Sequence, residues 1–559
     1  MNVWRGVWGT RLGRLIRFQP ISVRHWRQDV LGGVITAIVS LPLALTFGVS
    51  SGLGAEAGLY GAIVVGLVAA LFGGTPTLIS EPTGPMTVLM TTVLGTMMAS
   101  HPEQGVAMAL TVVMLAGIFQ IIFGVLKLGR YITLMPYSVI SGFMSGIGVI
   151  LIVLQLGPIL GQRAPTGGVV GTLQALPQLV MQANLLEAVL AILTLAVLMF
   201  TPKRVRRYIP AQLLALLVGT LVSLLMVGAV IRRIGPLEVG LPTLTVPTFS
   251  GDMWRVILID AVVLGMLGSI DTLLTAMIAD SLTRSEHNSD KELVGQGLAN
   301  FLSGLVGGLP GAGATMGTVV NIQTGARSAL SGITRALLLL VVALGAARLT
   351  AMIPLAVLAA IALNVGLNIL DWSFLRRAHT ISKRASTVMY GVLVLTVFVD
   401  LIVAVAVGVF IANMFTIERL SKYQASQVRA INDADDEVPL STVETRLLEA
   451  ARGQVLLVYL SGPLIFGVSK AIAKQHSAIA NCKVVVFDLN HVPMLDVTVS
   501  LAIENAIKDA VEADKQVLIV SSQNQIRSRL TRLGLFEILP KDALLTDRTD
   551  ALTKACDLI

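Results

Sequence analysis

The sequence predicts a polytopic α-helical membrane protein that ends in a small cytoplasmic α/β domain. Hydrophobic residues make up 54% of the chain, and charged residues make up only 13%, about half their usual share in soluble proteins. Apolar runs recur from Val30 to about Leu420, and most approach the roughly 20 residues that cross a hydrocarbon core. After Glu418 the chain becomes polar, and short apolar strands alternate with amphipathic helices.

Residues 1–28 form a basic segment that contains no acidic residue and lacks the apolar core of a cleavable signal peptide. We expect this segment in the cytoplasm, followed by a transmembrane domain over residues 29–420. Most basic clusters between the apolar runs then fall on the cytoplasmic side. We therefore expect a protein of the plasma (inner) membrane with both termini in the cytoplasm. Three arginines would fall on the outer side and do not fit this orientation: Arg232, Arg233 and Arg255. This orientation explains the net charge of +8, and no other feature indicates a nucleic-acid partner.

We predict about fourteen spans in two related halves. The stretches 60–88 and 294–320 share one pattern: a small-residue helix that ends in Gly-Gly, an irregular link, and an unusually short helix. The short helices are predicted to begin near Thr83 and Ala314. Because about seven spans separate the two stretches, the halves must cross the membrane in opposite directions, as in many secondary transporters.

Two half-helices that begin within a membrane can form an anion site without a basic side chain. Each start leaves unpaired backbone N–H groups and carries roughly half a positive charge. Pro85 suits such a first turn, and Gly313 and Gly317 let the backbone approach a ligand closely. The alternative is that these residues only permit tight helix packing. The hydroxyl groups of Thr83 and Thr315 beside the two starts favour the site.

Asp271 lies in the middle of an apolar run, and Thr275 follows it by one helical turn. A carboxylate at this depth costs several kcal/mol unless it is compensated, so a functional role is favoured over a structural cap. The side chains of Asp271 and Thr275, joined by free carbonyls of Gly313 and Ala314, would form an all-oxygen site for a hard cation. Na⁺ is the natural candidate, although a proton on Asp271 would also neutralise the charge.

Several functions are excluded because the sequence lacks their motifs. The sequence contains no nucleophile and base motif, P-loop or histidine cluster, so we predict a gradient-driven transporter that is not an enzyme and needs no organic cofactor. Glu81, in the first irregular link, is interpreted either as a gate or as a hydrogen-bond partner of that link. We expect solvated or interfacial roles for four acids near predicted span ends, which are Asp29, Glu56, Asp280 and Asp400.

The C-terminal pattern predicts a mostly parallel sheet with helices between its strands. We expect the domain over residues 438–559 and a solvated linker over residues 421–437. Cys482 and Cys556 lack metal-ligand spacing, and a cytoplasmic location would keep both thiols reduced.

Several long blocks resemble the sulfate permease (SulP) family of anion transporters, and in particular its sodium-dependent bicarbonate transporters. The blocks include GGTPTLISEPTGPMTV, ADSLTRSEHNS and GAGATMGTVVNIQ in the membrane part. FDLNHVPMLDVTVSLAIENA in the C-terminal part resembles the STAS domain of the same family. The resemblance implies fourteen spans in a seven-plus-seven inverted repeat, with a core domain, a gate domain and a cytoplasmic STAS domain that takes part in a homodimer.

The resemblance also implies a sodium-dependent bicarbonate symporter for inorganic carbon accumulation. It implies a bicarbonate site lined by Thr83, Ala314 and Thr315. It implies a Na⁺ site formed by Asp271, Thr275, Gly313, Ala314 and Thr315. A Na⁺- or H⁺-coupled transporter of sulfate or another oxyanion, or an anion channel, remains the alternative, because helix dipoles and hydroxyls recognise charge better than shape.

Two residues depart from the family pattern. Many family members place an arginine just after the hydroxyl residue of the second half-helix, and here that residue is Met316. Without that fixed positive charge, Asp271 would repel an anion until a bound cation reverses the balance. In the STAS domain Asp496 is followed by Val497, where phosphorylated relatives carry a serine, so phosphorylation at that position is excluded.

Overall fold

The structure is a computed structural model. It describes residues 15, 17–20, 23–132, 135–165, 167–206, 209–226, 231–235, 244–399, 401–432, 438–462, 464, 471–472, 479 and 481–559. Two compact units divide the chain, Met1–Val409 and Phe410–Ile559.

The main elements of the membrane part follow the same order twice. The first set is α1 (Trp26–Ser51), α2 (Ala55–Phe72), β1 (Ser80–Glu81), α3 (Gly84–Ser100), α4 (Gly105–Val125), α5 (Tyr137–Leu154), α6 (Gly168–Met181), α7 (Leu185–Phe200) and α8 (Ala211–Leu225). The second set is α9 (Trp254–Thr283), α10 (Ser289–Leu305), β2 (Ala312–Gly313), α11 (Thr315–Gln323), α12 (Leu330–Thr350), α13 (Leu355–Ile369), α14 (Trp372–Ile381), α15 (Lys383–Phe398) and α16 (Leu401–Ala425).

This repeated order confirms the two predicted halves. In each half a short strand precedes a helix that follows a small-residue helix and a Gly-Gly pair. The strands β1 and β2 are paired antiparallel, so equivalent segments of the two halves run in opposite directions. If α6 and α14 are set aside as accessory helices, seven helices remain in each set.

From the sequence we expected most of the apolar runs to be long enough to cross a membrane. In the structure, several of the corresponding helices are too short to do so alone. Among the described residues, seven helices are long and apolar enough, or eight if the bent pair α6 and α7 counts as one span. Most of the other helices are shorter; α11, for example, has nine residues and is about 14 Å long. Helices of this length occur where neighbouring protein, and not lipid, covers the backbone ends.

The membrane helices pack in two groups. Helices α1, α2 and α4 pack against α9, α10 and α12, while α5, α7 and α8 pack against α13 and α15. Glycines allow the closest contact in the first group: a Cβ atom on Gly297 of α10 would lie 2.5 Å from the carbonyl oxygen of Gly117 on α4. The two groups correspond to the predicted core and gate domains.

The C-terminal unit contains the predicted, mostly parallel sheet. Its strands are β3 (Val428–Ile431), β4 (Val455–Ser461), β5 (Val484–His491), β6 (Gln516–Val520) and β7 (Leu544–Leu545), adjacent in that order. Only β3 and β4 pair antiparallel. Helices α17 (Thr442–Ala450), α18 (Val497–Glu512), α19 (Asn524–Arg532) and α20 (Arg548–Asp557) connect or follow the strands.

The structure corrects the domain boundaries. We interpreted residues 421–437 as a linker, but α16 extends to Ala425 and β3 forms the edge of the sheet. Val428 and Ile431 are part of the buried core of this unit. We did not predict β3 because a strand of four residues is too short to give a clear apolar pattern. At the other end, α1 begins at Trp26, three residues before the predicted start of the membrane domain. Residues 433–437 lie outside the described part of the chain.

The corrected boundary makes a prediction for isolated fragments. We expect residues 426–559 to unfold cooperatively and residues 438–559 to be less stable by at least about 3 kcal/mol, because two buried side chains are lost. The shorter fragment should also aggregate more readily, since β4 becomes an exposed edge strand. Urea unfolding followed by circular dichroism measures both quantities. Equal unfolding midpoints would show that β3 is not part of the folding unit.

Candidate functional site

The two short strands bring the starts of both half-helices together. Ser80 pairs with Gly313 and Glu81 with Ala312. The backbone N–H of Ala314 continues this pairing by donating to the carbonyl oxygen of Ile79 at 2.8 Å. Helix α3 therefore begins just after one strand and α11 just after the other.

Neither half-helix start is capped by the side chain of its N-cap residue. Thr83 precedes α3 and Ala314 precedes α11, both in extended conformation and without a side-chain cap. The hydroxyl of Thr83 instead donates to Oδ2 of Asp271 at 2.8 Å. The first backbone N–H groups of α3 and α11 can then interact with an anion.

Asp271 is deeply buried in the middle of α9, with 7% of its surface exposed. Thr83 is the hydrogen-bond partner that the structure gives to its carboxylate. The sequence assigned Thr83 to an anion site and Asp271 to a cation site, and the structure joins the two residues directly. A ligand bound at one residue would therefore affect the other.

Thr275 connects α9 to the second half-helix. Its hydroxyl donates to the carbonyl oxygen of Gly313 at 2.8 Å and lies 2.9 Å from the hydroxyl of Thr315. One residue after Asp271, the hydroxyl of Thr272 accepts a hydrogen bond from the backbone N–H of Gly313 at 3.0 Å. Three oxygens of the expected cation site are thus already in contact, and Thr272 is an additional support that the sequence did not indicate.

The site is accessible from one side. Thr275 is fully buried, Ala314 is 9% exposed, and Thr315 and Met316 are exposed. Met316 also contacts the second helix group, because its sulfur accepts a hydrogen bond from Nε2 of Gln212 at the start of α8. A ligand would therefore enter beside the first turn of α11, where the two groups of helices meet.

A network of buried amides holds the link before β2. Asn300 of α10 donates to the carbonyl oxygen of Gly311 at 2.9 Å and accepts from its N–H at 2.7 Å. Gln296 donates to the same carbonyl oxygen, and Asn300 also donates to Gln120 of α4. These amides fix the backbone that carries Gly313 and Thr315. We did not predict the role of these amides, although buried polar residues in membrane helices are a recognised signal.

Two buried charges were also missed or misinterpreted. Arg335 of α12 is completely buried and is paired with Glu81, a partner on another helix that neither of our two interpretations of Glu81 included. Asp29 is buried as well, where it accepts the N–H groups of Arg327 and Ser328 ahead of α12. We expected a solvated or interfacial role for Asp29, and the solvated alternative is wrong because protein covers this end of the helix. Asp400 lies outside the described residues.

The donor set suits a monovalent hard cation better than a transition metal. Within the described part of the chain, no three His, Cys, Asp or Glu side chains are grouped to hold a metal ion. The candidate site instead offers one carboxylate together with hydroxyl and carbonyl oxygens. Such oxygens favour hard cations.

Comparisons with known proteins agree with this geometry. The sulfate permease family model matches residues 26–392, and a STAS domain model matches residues 449–549. The chain is 57% identical to the bicarbonate transporter BicA of Picosynechococcus sp., over 96% of this chain and 95% of that relative.

Two solved structures are similar as well. The transmembrane domain of a cyanobacterial bicarbonate transporter BicA matches 69% of this chain and 99% of its own, with 59% identity and a TM-score of 0.67. Murine Solute Carrier 26 family member A9, an anion transporter in the inward-facing state, matches 96% of this chain and 92% of its own. With 19% identity and a TM-score of 0.81, this second structure supports the fold alone.

Proposed function

The chain belongs to the sulfate permease family, and from that membership and its site we propose that it couples bicarbonate uptake to the entry of Na⁺. It is a multi-pass membrane transporter for bicarbonate and not an enzyme, as its near full-length similarity to the bicarbonate transporter indicates. The coupling to Na⁺ is our proposal. The observation that carries it is the hydrogen bond between Thr83 and the buried Asp271.

Bicarbonate would bind between the starts of α3 and α11. The uncapped backbone N–H groups would donate to its oxygens, and Ala314 would line the site. The hydroxyls of Thr83 and Thr315 would turn from Asp271 and Thr275 to donate to the anion once Na⁺ has taken their place at those two side chains. Met316 contributes no positive charge at this position. Before Na⁺ binds, the helix starts must therefore attract the anion against the carboxylate of Asp271.

Na⁺ would bind beside the anion, on the side of α9. Its ligands would be the carboxylate of Asp271, the hydroxyls of Thr275 and Thr315, and carbonyl oxygens of Gly313 and Ala314. Bound Na⁺ cancels the charge of Asp271, so each ion strengthens the binding of the other. This mutual dependence is what a symporter requires, because transport of one ion without the other is then disfavoured.

The two helix groups provide a route for transport. The residues of the proposed site lie on α9 of the first group and at the starts of α3 and α11, which pack against α1 and α9 of that group. Met316 touches the second group through Gln212. We propose that the first group moves as a core past the second group, the gate, and carries the site across the membrane. Both termini and the STAS domain would lie in the cytoplasm, with the protein in the plasma membrane, where it would serve inorganic carbon accumulation.

Homodimerisation through the STAS domain is a further part of the proposal. Met494, Val497 and Leu501 are each about half exposed and lie together at and before the first turns of α18. Exposed apolar residues at this spacing are typical of an interface.

We expect Val497→Asp combined with Leu501→Asp to convert a dimer of the full-length protein into a monomer. Size-exclusion chromatography with light scattering in detergent measures the state. The control replaces the similarly exposed Val443 of α17 by Asp, which should leave the dimer intact. A double variant that stays dimeric would remove this patch from the interface.

Uptake by purified protein in liposomes tests the transport mode. Saturable uptake of labelled bicarbonate that requires Na⁺ is expected for the symporter. Unitary currents in planar bilayers would instead identify an anion channel.

A further inference from the structure

Arg335 is an arginine without any exposed surface in a membrane helix. Its Nε donates to the hydroxyl of Ser40 at 2.8 Å, and its Nη1 donates to the carbonyl oxygens of Ser80 at 3.1 Å and Ala62 at 3.4 Å. Its Nη2 donates to Oε2 of Glu81. One guanidinium of the second half thus binds three elements of the first half, namely α1, α2 and β1.

The carboxylate that Arg335 neutralises lies close to the proposed anion site. Glu81 is two residues before Thr83, and its Oε1 would be 3.3 Å from a Cβ atom on Gly317. Gly317 is the third residue of α11, so the carboxylate packs against the first turn of this half-helix. A negative charge at that turn would occupy the positive end of the helix that bicarbonate needs.

The position of this pair suggests a role in the charge balance of the site. An unpaired Glu81 would add a second negative charge to that of Asp271. The chain has Met316 where an arginine would supply a positive charge in the same turn of α11. The guanidinium of Arg335 is a fixed positive charge that the described contacts connect to β1 of the site.

We infer that Arg335 is a positioning residue that keeps the start of α11 available to an anion by neutralising and holding Glu81. The inference rests on the proposed Na⁺-coupled binding of bicarbonate and adds a residue that sets its electrostatics. A purely structural ion pair would affect stability alone. An electrostatic role instead predicts two opposite effects. Removing the negative charge of Glu81 should strengthen bicarbonate binding, and removing the positive charge of Arg335 should weaken it.

Glu81→Gln is the most informative single variant. Glutamine can still accept a hydrogen bond from Arg335, but the guanidinium keeps its charge because arginine does not lose its proton in proteins. The unpaired positive charge should strengthen bicarbonate binding and lower the Na⁺ concentration needed for it by about tenfold. Adding Arg335→Gln removes that charge, so the double variant should return to within about threefold of the unmodified protein.

The measurement is thermal unfolding of the purified full-length protein, titrated with bicarbonate at several Na⁺ concentrations. The matched control is Glu187→Gln. Glu187 is equally buried and paired with Arg232, but it lies on α7 in the other helix group. This control should change the unfolding temperature without changing the Na⁺ concentration at half effect.

The outcomes separate the inference from the proposed function. If the unmodified protein is not stabilised by bicarbonate at any Na⁺ concentration, the proposed function fails. If it is stabilised but Glu81→Gln needs as much Na⁺ as before, or the double variant does not reverse the shift, the inference is overturned and the function stands. Should Glu81→Gln not fold, Arg335→Lys decides: retained charge should keep the Na⁺ requirement within about twofold, and a larger shift overturns the inference.

Discussion

Asp271→Asn is expected to reduce Na⁺-driven bicarbonate uptake by about 100-fold or more while the protein stays folded. The amide keeps the volume of the side chain and can still accept the hydrogen bond of Thr83. It removes the only carboxylate in the proposed cation site, and a charge partner in a buried site contributes several kcal/mol. Uptake of labelled bicarbonate into liposomes with an inward Na⁺ gradient measures the loss.

Two further variants on α9 serve for comparison, one within the site and one outside it. Thr275→Ala should have a milder effect, because it removes one neutral ligand and leaves the charge. Asp280→Asn changes an acid nine residues further along α9 that is paired with His287 and lies outside the site, so Na⁺ dependence should not change. If Asp271→Asn retained normal Na⁺ dependence, the cation site would have to be elsewhere.

Met316→Arg should make bicarbonate binding less dependent on Na⁺. Met316 is exposed in the first turn of α11, so an arginine has room to place its charge beside the helix start. That fixed charge would replace part of what Na⁺ supplies, and the Na⁺ concentration at half effect should fall by about tenfold. Bicarbonate-induced thermal stabilisation across a Na⁺ titration measures binding directly.

Transport by this variant is expected to fall although binding improves. A guanidinium that pairs with Asp271 would hold the core in one state, and the contact between Met316 and Gln212 is lost. Met316→Leu is the control, since it keeps the size and adds no charge. An undiminished Na⁺ requirement in the folded Met316→Arg protein would show that Na⁺ organises the geometry of the site and does not balance its charge.

The sequence was informative wherever a local pattern carried the signal. The Gly-Gly pairs, Pro85 and the short apolar runs predicted both half-helices, because each depends on a few adjacent residues. Asp271 was identifiable alone, because an acid in an apolar run is rare. The alternating C-terminal pattern predicted the sheet for the same reason.

Contacts between distant segments were not predictable. Thr83 and Asp271 are separated by 188 positions, and only the packed helices determine that they meet. The burial of Arg335 and Asp29 likewise depends on which helices cover them. Strand β3 was missed because a four-residue strand is recognisable only by its pairing with β4.

In the proposed function, an inward Na⁺ gradient drives the uptake of bicarbonate. Its most direct test uses purified protein in liposomes with equal bicarbonate on both sides and Na⁺ only outside. We expect labelled bicarbonate to accumulate above its external concentration. Dissipating the Na⁺ gradient should abolish the accumulation, and excess sulfate should not compete. Accumulation without a Na⁺ gradient, or efficient competition by sulfate, would contradict it.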